Sequence, residues 1–134
     1  MQEVKVKLVK NINRINPNDW DACACPETKI GCRAIDPFTT HRFLAALEKS
    51  KSVGGETGWI PHHLVAKINN SIVGVMPLYL KSNSQGEYIF DHNWAHAYIQ
   101  AGGNYYPKFQ VAVPFTPVTG KRLLTKPGMA QKIE

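Results

Sequence analysis

The residues best suited to chemistry are concentrated in one stretch of the chain. Eight of its aromatic residues lie between Tyr88 and Phe115, together with His92 and His96. Two acids, Glu87 and Asp91, stand at the beginning of this stretch. Aromatic side chains with polar tips beside carboxylates are typical of a groove that binds a polar ligand. The alternative is that these rings belong to the hydrophobic core, and the residues alone leave both interpretations open.

Metal chemistry has little support in the spacing of the candidate ligands. His92 and His96 are four residues apart and would share one face of a helix, as metal ligands often do. A zinc hydrolase motif requires Glu directly after the first His, and Asn93 stands in that place. The three cysteines, Cys23, Cys25 and Cys32, lack the paired C-x2-4-C units of zinc sites. We therefore predict no metal site.

No phosphate-binding loop is complete. Gly120-Lys121 resembles the end of a Walker motif, but Phe115 occupies the earlier glycine position and Arg122 replaces Ser or Thr. The segment 100–103, Gln-Ala-Gly-Gly, matches half of the pyrophosphate loop of acetyl-CoA-dependent acetyltransferases. Tyr105 stands where the last small residue of that loop belongs.

Length and composition indicate one globular domain. The chain has 134 residues, is 43% hydrophobic and carries a net charge of +6, with its Lys and Arg residues spread over both halves. Because no window forms a basic run, we predict a solvated basic surface and no DNA binding. The longest apolar stretch, residues 72–80, is far shorter than a membrane span. The odd cysteine count and the absence of an apolar leader predict a cytoplasmic protein.

The elements that must position these residues are helices mixed with antiparallel strands. Alternation at Val4, Val6 and Leu8 predicts a half-buried opening strand. Asp36-Pro37 predicts the start of an amphipathic helix that ends before Gly54-Gly55. The remaining predicted elements are a hairpin of residues 64–68 and 72–80 joined by Asn69-Asn70-Ser71, strands at 88–90 and 110–113, and a helix at 93–101.

A set of ordered segments lies between residues 36 and 124: Pro37-Phe38, His41 to Glu48, Thr57 to Pro61, Met76 to Ser82, Gly86 to Asp91, Tyr105 to Lys108 and Val113 to Gly120. Together these segments resemble a bacterial FemAB-like family of GNAT-type acyl-CoA N-acyltransferases, often labelled as peptidoglycan biosynthesis proteins. The resemblance predicts the N-terminal portion of a GNAT-like α+β layered domain over residues 1–134, with a mainly antiparallel sheet and flanking helices. Residues 21–35 would form a variable loop and residues 121–134 an irregular tail.

The resemblance implies transfer of an acyl or aminoacyl group to an amine, with a small molecule or cell-wall precursor as the acceptor. The implied donor is an acyl-CoA such as acetyl-CoA, or an aminoacyl-tRNA. Such enzymes position donor and acceptor and use a general base to remove the amine proton. Glu87 and Asp91 are the predicted base or acceptor contacts. Trp94, Tyr98, Tyr105 and Tyr106 would line the groove, and Lys81 and Lys108 would meet an anionic part of a ligand.

Two departures from the family pattern support an alternative. Family members are longer, so the chain would lack the region of the donor-binding loop, and His96 stands where relatives commonly have an acid. The alternative is a non-catalytic, truncated remnant that binds a ligand or a partner. A second chain could complete such a fold, and contact with tRNA is a further, weaker possibility.

Overall fold

The structure, a computed structural model, describes residues 2–26 and 35–129 and has the predicted α+β architecture. Two antiparallel sheets carry the strand orders β1-β3-β4-β7 and β2-β5-β6. The helices are α1 (Pro17–Ala24), α2 (His41–Lys49) and α3 (His92–Gln100). The strands are β1 (Lys5–Val9), β2 (Trp59–Pro61), β3 (His63–Ile68), β4 (Ser71–Met76), β5 (Tyr79–Lys81), β6 (Lys108–Gln110) and β7 (Leu124–Thr125).

The predicted hairpin forms, but its second strand is divided between the two sheets. Asn69 and Asn70 both have positive φ, at 47° and 66°, as the tight turn between β3 and β4 requires. Pro77 has no N–H to donate to a ladder, so β4 ends at Met76. The chain then enters the smaller sheet, where Tyr79 begins β5. Pro77 therefore lies between the hairpin and the smaller sheet.

One face of the larger sheet is covered by α1 and α2. The predicted helix does not begin at Asp36: Pro37–Thr39 forms a single 3-10 turn, and α2 begins after Thr40, whose hydroxyl accepts from the Phe43 N–H at 3.2 Å. The apolar residues of these elements and of the sheet form one core cluster, made of Ile12, Ile15, Trp20, Cys23, Ala24, Leu44, Val65, Ile72, Val75 and Leu124.

Other sequence predictions differ from the structure at element ends. Residues 88–90 form no strand, and the strand predicted at 110–113 lies earlier, at Lys108–Gln110. Within the tail predicted to be irregular, β7 pairs with Gly74 and Val75 of β4. The predicted variable loop begins inside α1, and its residues 27–34, with Cys32, lie outside the described residues. Within the described part of the chain, no helix has the length and apolar character needed to cross a membrane.

Candidate functional site

The candidate site lies at the smaller sheet, where two lysines are direct neighbours on adjacent strands. Lys81 ends β5, and Lys108 begins β6 as its antiparallel partner. The segment between β5 and α3 crosses beside these strands and supplies Ser84, Glu87 and Asp91. The register of β5 and β6 thus places two ammonium groups against two carboxylates that are distant from Lys108 in the sequence. We call Lys81, Glu87, Asp91 and Lys108 the charged cluster.

Glu87 bridges the two lysines of the charged cluster. Its Oε2 atom accepts a hydrogen bond from Lys108 Nζ at 3.0 Å. Its Oε1 atom lies 3.7 Å from Lys81 Nζ, beyond hydrogen-bond distance, and has no hydrogen-bond partner among the described residues. The Glu87 side chain is only 4% exposed. A buried carboxylate oxygen without a partner is costly, so this atom calls for a functional or structural explanation.

Asp91 accepts three hydrogen bonds within the site. It accepts from Ser84 Oγ at 2.5 Å, from Tyr105 Oη at 2.6 Å and from the Lys108 ammonium. Tyr106 Oη lies 2.6 Å from the same Ser84 hydroxyl. The network therefore ties the beginning of α3 to the segment that leads into β6, and it fixes the orientation of both tyrosines.

These contacts shift the pKa values of the groups around Asp91. Burial by itself would raise the pKa of Asp91, but hydrogen bonds from Lys108, Ser84 and Tyr105 hold it well below its usual range. Burial would lower the pKa of Lys108, and its hydrogen bonds to Asp91 and Glu87 raise it instead. The hydrogen bond to Asp91 raises the pKa of Tyr105. Asp91 and Lys108 therefore form an ion pair at neutral pH.

Lys81 is in a different environment, because its side chain is fully buried. Its Nζ atom lies 3.7 Å from the centroid of the Trp59 ring and donates to the Gln85 carbonyl at 2.7 Å. Burial lowers the pKa of Lys81 to about 8, an effect that the nearby Glu87 carboxylate offsets in part. Of the two lysines, Lys81 is therefore the one that loses its charge at the lower pH.

A tight turn brings Glu87 into the charged cluster. The Gln85 N–H donates to Asn83 Oδ1 at 2.9 Å, and the Gln85 carbonyl also accepts from Trp59 Nε1 at 3.0 Å. Gly86 follows with φ of 74°, and a Cβ atom there would lie 2.6 Å from the Phe115 ring. Only glycine suits both the backbone angle and the lack of space. The turn thus determines the direction in which the Glu87 side chain leaves the backbone.

Six of the eight predicted site residues converge at this place. They are Lys81, Glu87, Asp91, Tyr105, Tyr106 and Lys108. Tyr98 lies at the edge, with its ring centroid 6.0 Å from that of Tyr105. Trp94, one helical turn earlier on α3, is 76% exposed. Sequence reasoning missed Ser84, Trp59 and the Gln85 carbonyl, because a serine in a loop and a tryptophan on another strand carry no signal until the turn and the strand register are known.

The other motifs considered in the sequence lie outside the charged cluster. Gln100 is the last residue of α3, so the glycine pair that follows stands at a helix C-terminus. Phosphates bind at helix N-termini, and the half-match to a pyrophosphate loop thus lacks the required context. His96 shares its helix face with Gln100, and the Nε2 atoms of the two side chains lie 3.3 Å apart. The His92 ring stacks on the ring of Phe90. Among residues 2–26 and 35–129, no group of three His, Cys, Asp or Glu side chains could hold a metal ion.

Comparison with known proteins gives one match. A family model named FemAB-like, described as peptidoglycan biosynthesis/recognition, matches residues 11–133 and so covers nearly the whole chain. No curated protein and no solved structure matches significantly.

Proposed function

The chain belongs to the FemAB-like family, and we propose that it takes part in the transfer of an acyl or aminoacyl group to the amine of a cell-wall precursor. The family description supports the link to peptidoglycan. The observation that carries the proposed chemistry is the charged cluster, in which a buried carboxylate oxygen of Glu87, 3.7 Å from Lys81 Nζ, has no hydrogen-bond partner among the described residues. Such an oxygen suits the N–H of an acceptor amine.

In the proposed reaction the amine nitrogen attacks the carbonyl carbon of the donor. A C–N bond forms, the C–S bond of a thioester or the C–O bond of an aminoacyl ester breaks, and the leaving sulfur or oxygen takes up a proton. The nitrogen must lose a proton in the same sequence, and a positioned carboxylate can accept it. The proposed donor is an acyl-CoA or an aminoacyl-tRNA.

Glu87 and Asp91 would have different roles in this reaction. Asp91 accepts three hydrogen bonds and its pKa is held low, so it is a weak base. It is better suited to orient Lys108 and to attract a cationic amine. Glu87 has the oxygen without a hydrogen bond, which suits it to accept the proton. Lys108, whose side chain is 12% exposed, is the lysine of the cluster that a ligand anion would contact first.

A different observation favours a second candidate function, that of a non-catalytic binding module. The segment before α3 and the helix itself expose large apolar side chains, including Ile89, which is 90% exposed, and Trp94. Contiguous apolar surface of this kind marks sites of protein association. A second chain could cover it, and the charged cluster would then serve only to hold α3 in place.

The test is a transfer assay with the purified full chain, supplied separately with acetyl-CoA and with aminoacyl-tRNA and a pool of amine acceptors. Released CoA or tRNA and the mass of the acylated product are measured. We expect Glu87→Gln to lower the rate at least about 100-fold, the usual contribution of a general base. The exposed acid Glu56 provides the matched control, Glu56→Gln, which should not change the rate. No transfer with either donor would overturn the proposal and favour the binding module.

A further inference from the structure

A cavity lined in part by Glu87 adjoins the charged cluster. It is a cleft of about 190 Å³ between residues 86–89 and 110–119. That is smaller than the roughly 300–1,000 Å³ of pockets that hold drug-sized ligands. Its walls are mainly apolar, with Val111, Val113, Pro117 and Val118 among them. Two charged residues of opposite sign line it, namely Glu87 and Arg122.

Arg122 is held in place by backbone carbonyls while its charge is only loosely paired. Its Nη2 donates to the Val118 carbonyl at 2.5 Å, and its Nη1 donates to the Lys121 carbonyl at 3.2 Å. The nearest carboxylate, Asp36, has its Oδ2 atom 3.7 Å from Nη1, beyond hydrogen-bond distance. A guanidinium has five N–H donors in a planar fork. Donors therefore remain for an anion in the cleft.

Glu87, the other charged residue that lines the cleft, has an oxygen that lacks a hydrogen-bond donor. Its Oε1 atom is buried and accepts no hydrogen bond from the described residues. A ligand N–H would satisfy it, as would an ammonium group. A single small cleft is thus lined by the Glu87 carboxylate, by a partly unpaired guanidinium and by apolar side chains.

We propose that this cleft binds an amino acid that keeps both its free amine and its free carboxylate, with the amine toward Glu87 and the carboxylate at Arg122. The inference rests on the proposed function, in that the bound amine would be the acyl acceptor. It adds the requirement that the acceptor carry an anionic group beside its nucleophilic nitrogen. Arg122 then determines which amines are selected, and it takes no part in bond making.

The first experiment measures binding without any donor. The free amino acids are screened by ligand-observed NMR against the full chain, and the tightest binder is compared with its carboxamide and its N-acetyl derivative. Each derivative lacks one of the two charges. We expect both to bind at least about tenfold more weakly, the loss that corresponds to one charge-assisted hydrogen bond. No amino acid binding, or equal binding of the carboxamide, would overturn the proposal.

Variants then assign the carboxylate contact. Arg122→Gln should reduce the affinity for the amino acid to that of its carboxamide and should leave the carboxamide's affinity unchanged, while Arg122→Lys should restore part of the loss. Lys121→Gln removes an exposed neighbouring charge and is the matched control. Val111→Phe, which fills the cleft without touching a charge, should weaken all three ligands. If Arg122→Gln binds the amino acid as wild type does, Arg122 is not its anchor and the proposal fails.

The outcomes separate this inference from the proposed function. Arg122-dependent binding of an amino acid without transfer from any donor would keep the cleft and refute acyl transfer. Transfer to amines that lack a carboxylate, with a kcat/KM equal to that of amino acids, would keep acyl transfer and refute the zwitterion cleft.

Discussion

Lys81 and Lys108 are direct cross-strand partners in β5 and β6, and the Glu87 carboxylate lies between their ammonium groups at 3.7 Å and 3.0 Å. Like charges directly opposite each other destabilise a strand pair. Here a loop residue supplies the counter-charge, and Asp91 supplies a second one on the Lys108 side. The stability of the smaller sheet therefore depends on the same side chains that we propose for the chemistry.

Replacing Glu87 should destabilise the fold as well as reduce activity. Glu87→Gln leaves two largely buried ammonium groups with less counter-charge, and removing one partner of a buried ion pair costs about 3 kcal/mol. Urea unfolding followed by circular dichroism measures the loss in the free energy of unfolding. The double variant Glu87→Gln/Lys81→Met should recover part of it, because one unpaired charge is then gone. Additive effects of the two substitutions would contradict the coupling.

The burial of Lys81 predicts an unusual pH dependence of stability. Its pKa is about 8 in the folded chain, against 10.5 for an ordinary lysine. Between these values the unfolded chain binds more protons than the folded one, so this group makes stability rise as pH increases from 8 to 10.5. We expect the urea midpoint of wild type to rise relative to that of Lys81→Met between pH 8 and pH 10.5. A constant difference between the two proteins would show that Lys81 is not perturbed.

The lowered pKa of Asp91 predicts a loss of stability at acidic pH. Its folded pKa is lowered below the ordinary 3.8, so the stability it contributes is present above that pH and is lost as pH falls through the folded pKa. Asp91→Asn should therefore lower the urea midpoint at pH 7, and its difference from wild type should shrink below pH 4. Asp19→Asn, at an exposed acid in α1, is the comparison. An equal pH response of both variants would argue against the Asp91 network.

The turn at Gly86 provides a prediction with an internal control. Gly86→Ala would place Cβ 2.6 Å from Phe115 and 2.8 Å from Trp59 Nε1, at a φ of 74°. We expect a loss of about 2–3 kcal/mol in the free energy of unfolding, from backbone strain and overpacking together. Gly102→Ala has a similar φ of 87° with nothing within 4 Å, so it should lose only about 1 kcal/mol. Equal losses would mean that the space around Gly86 is not restrictive.

Local signals explain the predictions that the structure confirms. The Asn-Asn turn and the glycines after α3 act within a few residues, and the hairpin and the end of the helix follow from them. The alternation in β1 correctly predicts a strand, but the strand is not half-buried as predicted, since Val6 and Leu8 are 60% and 44% exposed. The FemAB-like resemblance, read from ordered segments, is confirmed by the family model over residues 11–133. The predictions for residues 88–90 and for a helix start at Asp36 are wrong, because short apolar runs and a single capping residue do not define an element.

By itself the sequence determined the α+β class, the family and the identity of the residues that carry charge near the aromatic stretch, since these depend on residue type and short-range order. Only the tertiary structure decided that Lys81 faces Lys108, that Glu87 lies between them, and that Trp59 and Arg122 belong to the same region. Each of these contacts depends on the register of β5 and β6 and on the turn at Gly86, where a shift of one residue would reverse the direction of a side chain. Long-range pairing of this kind depends on the packing of the whole domain, so it cannot be predicted from a local sequence pattern.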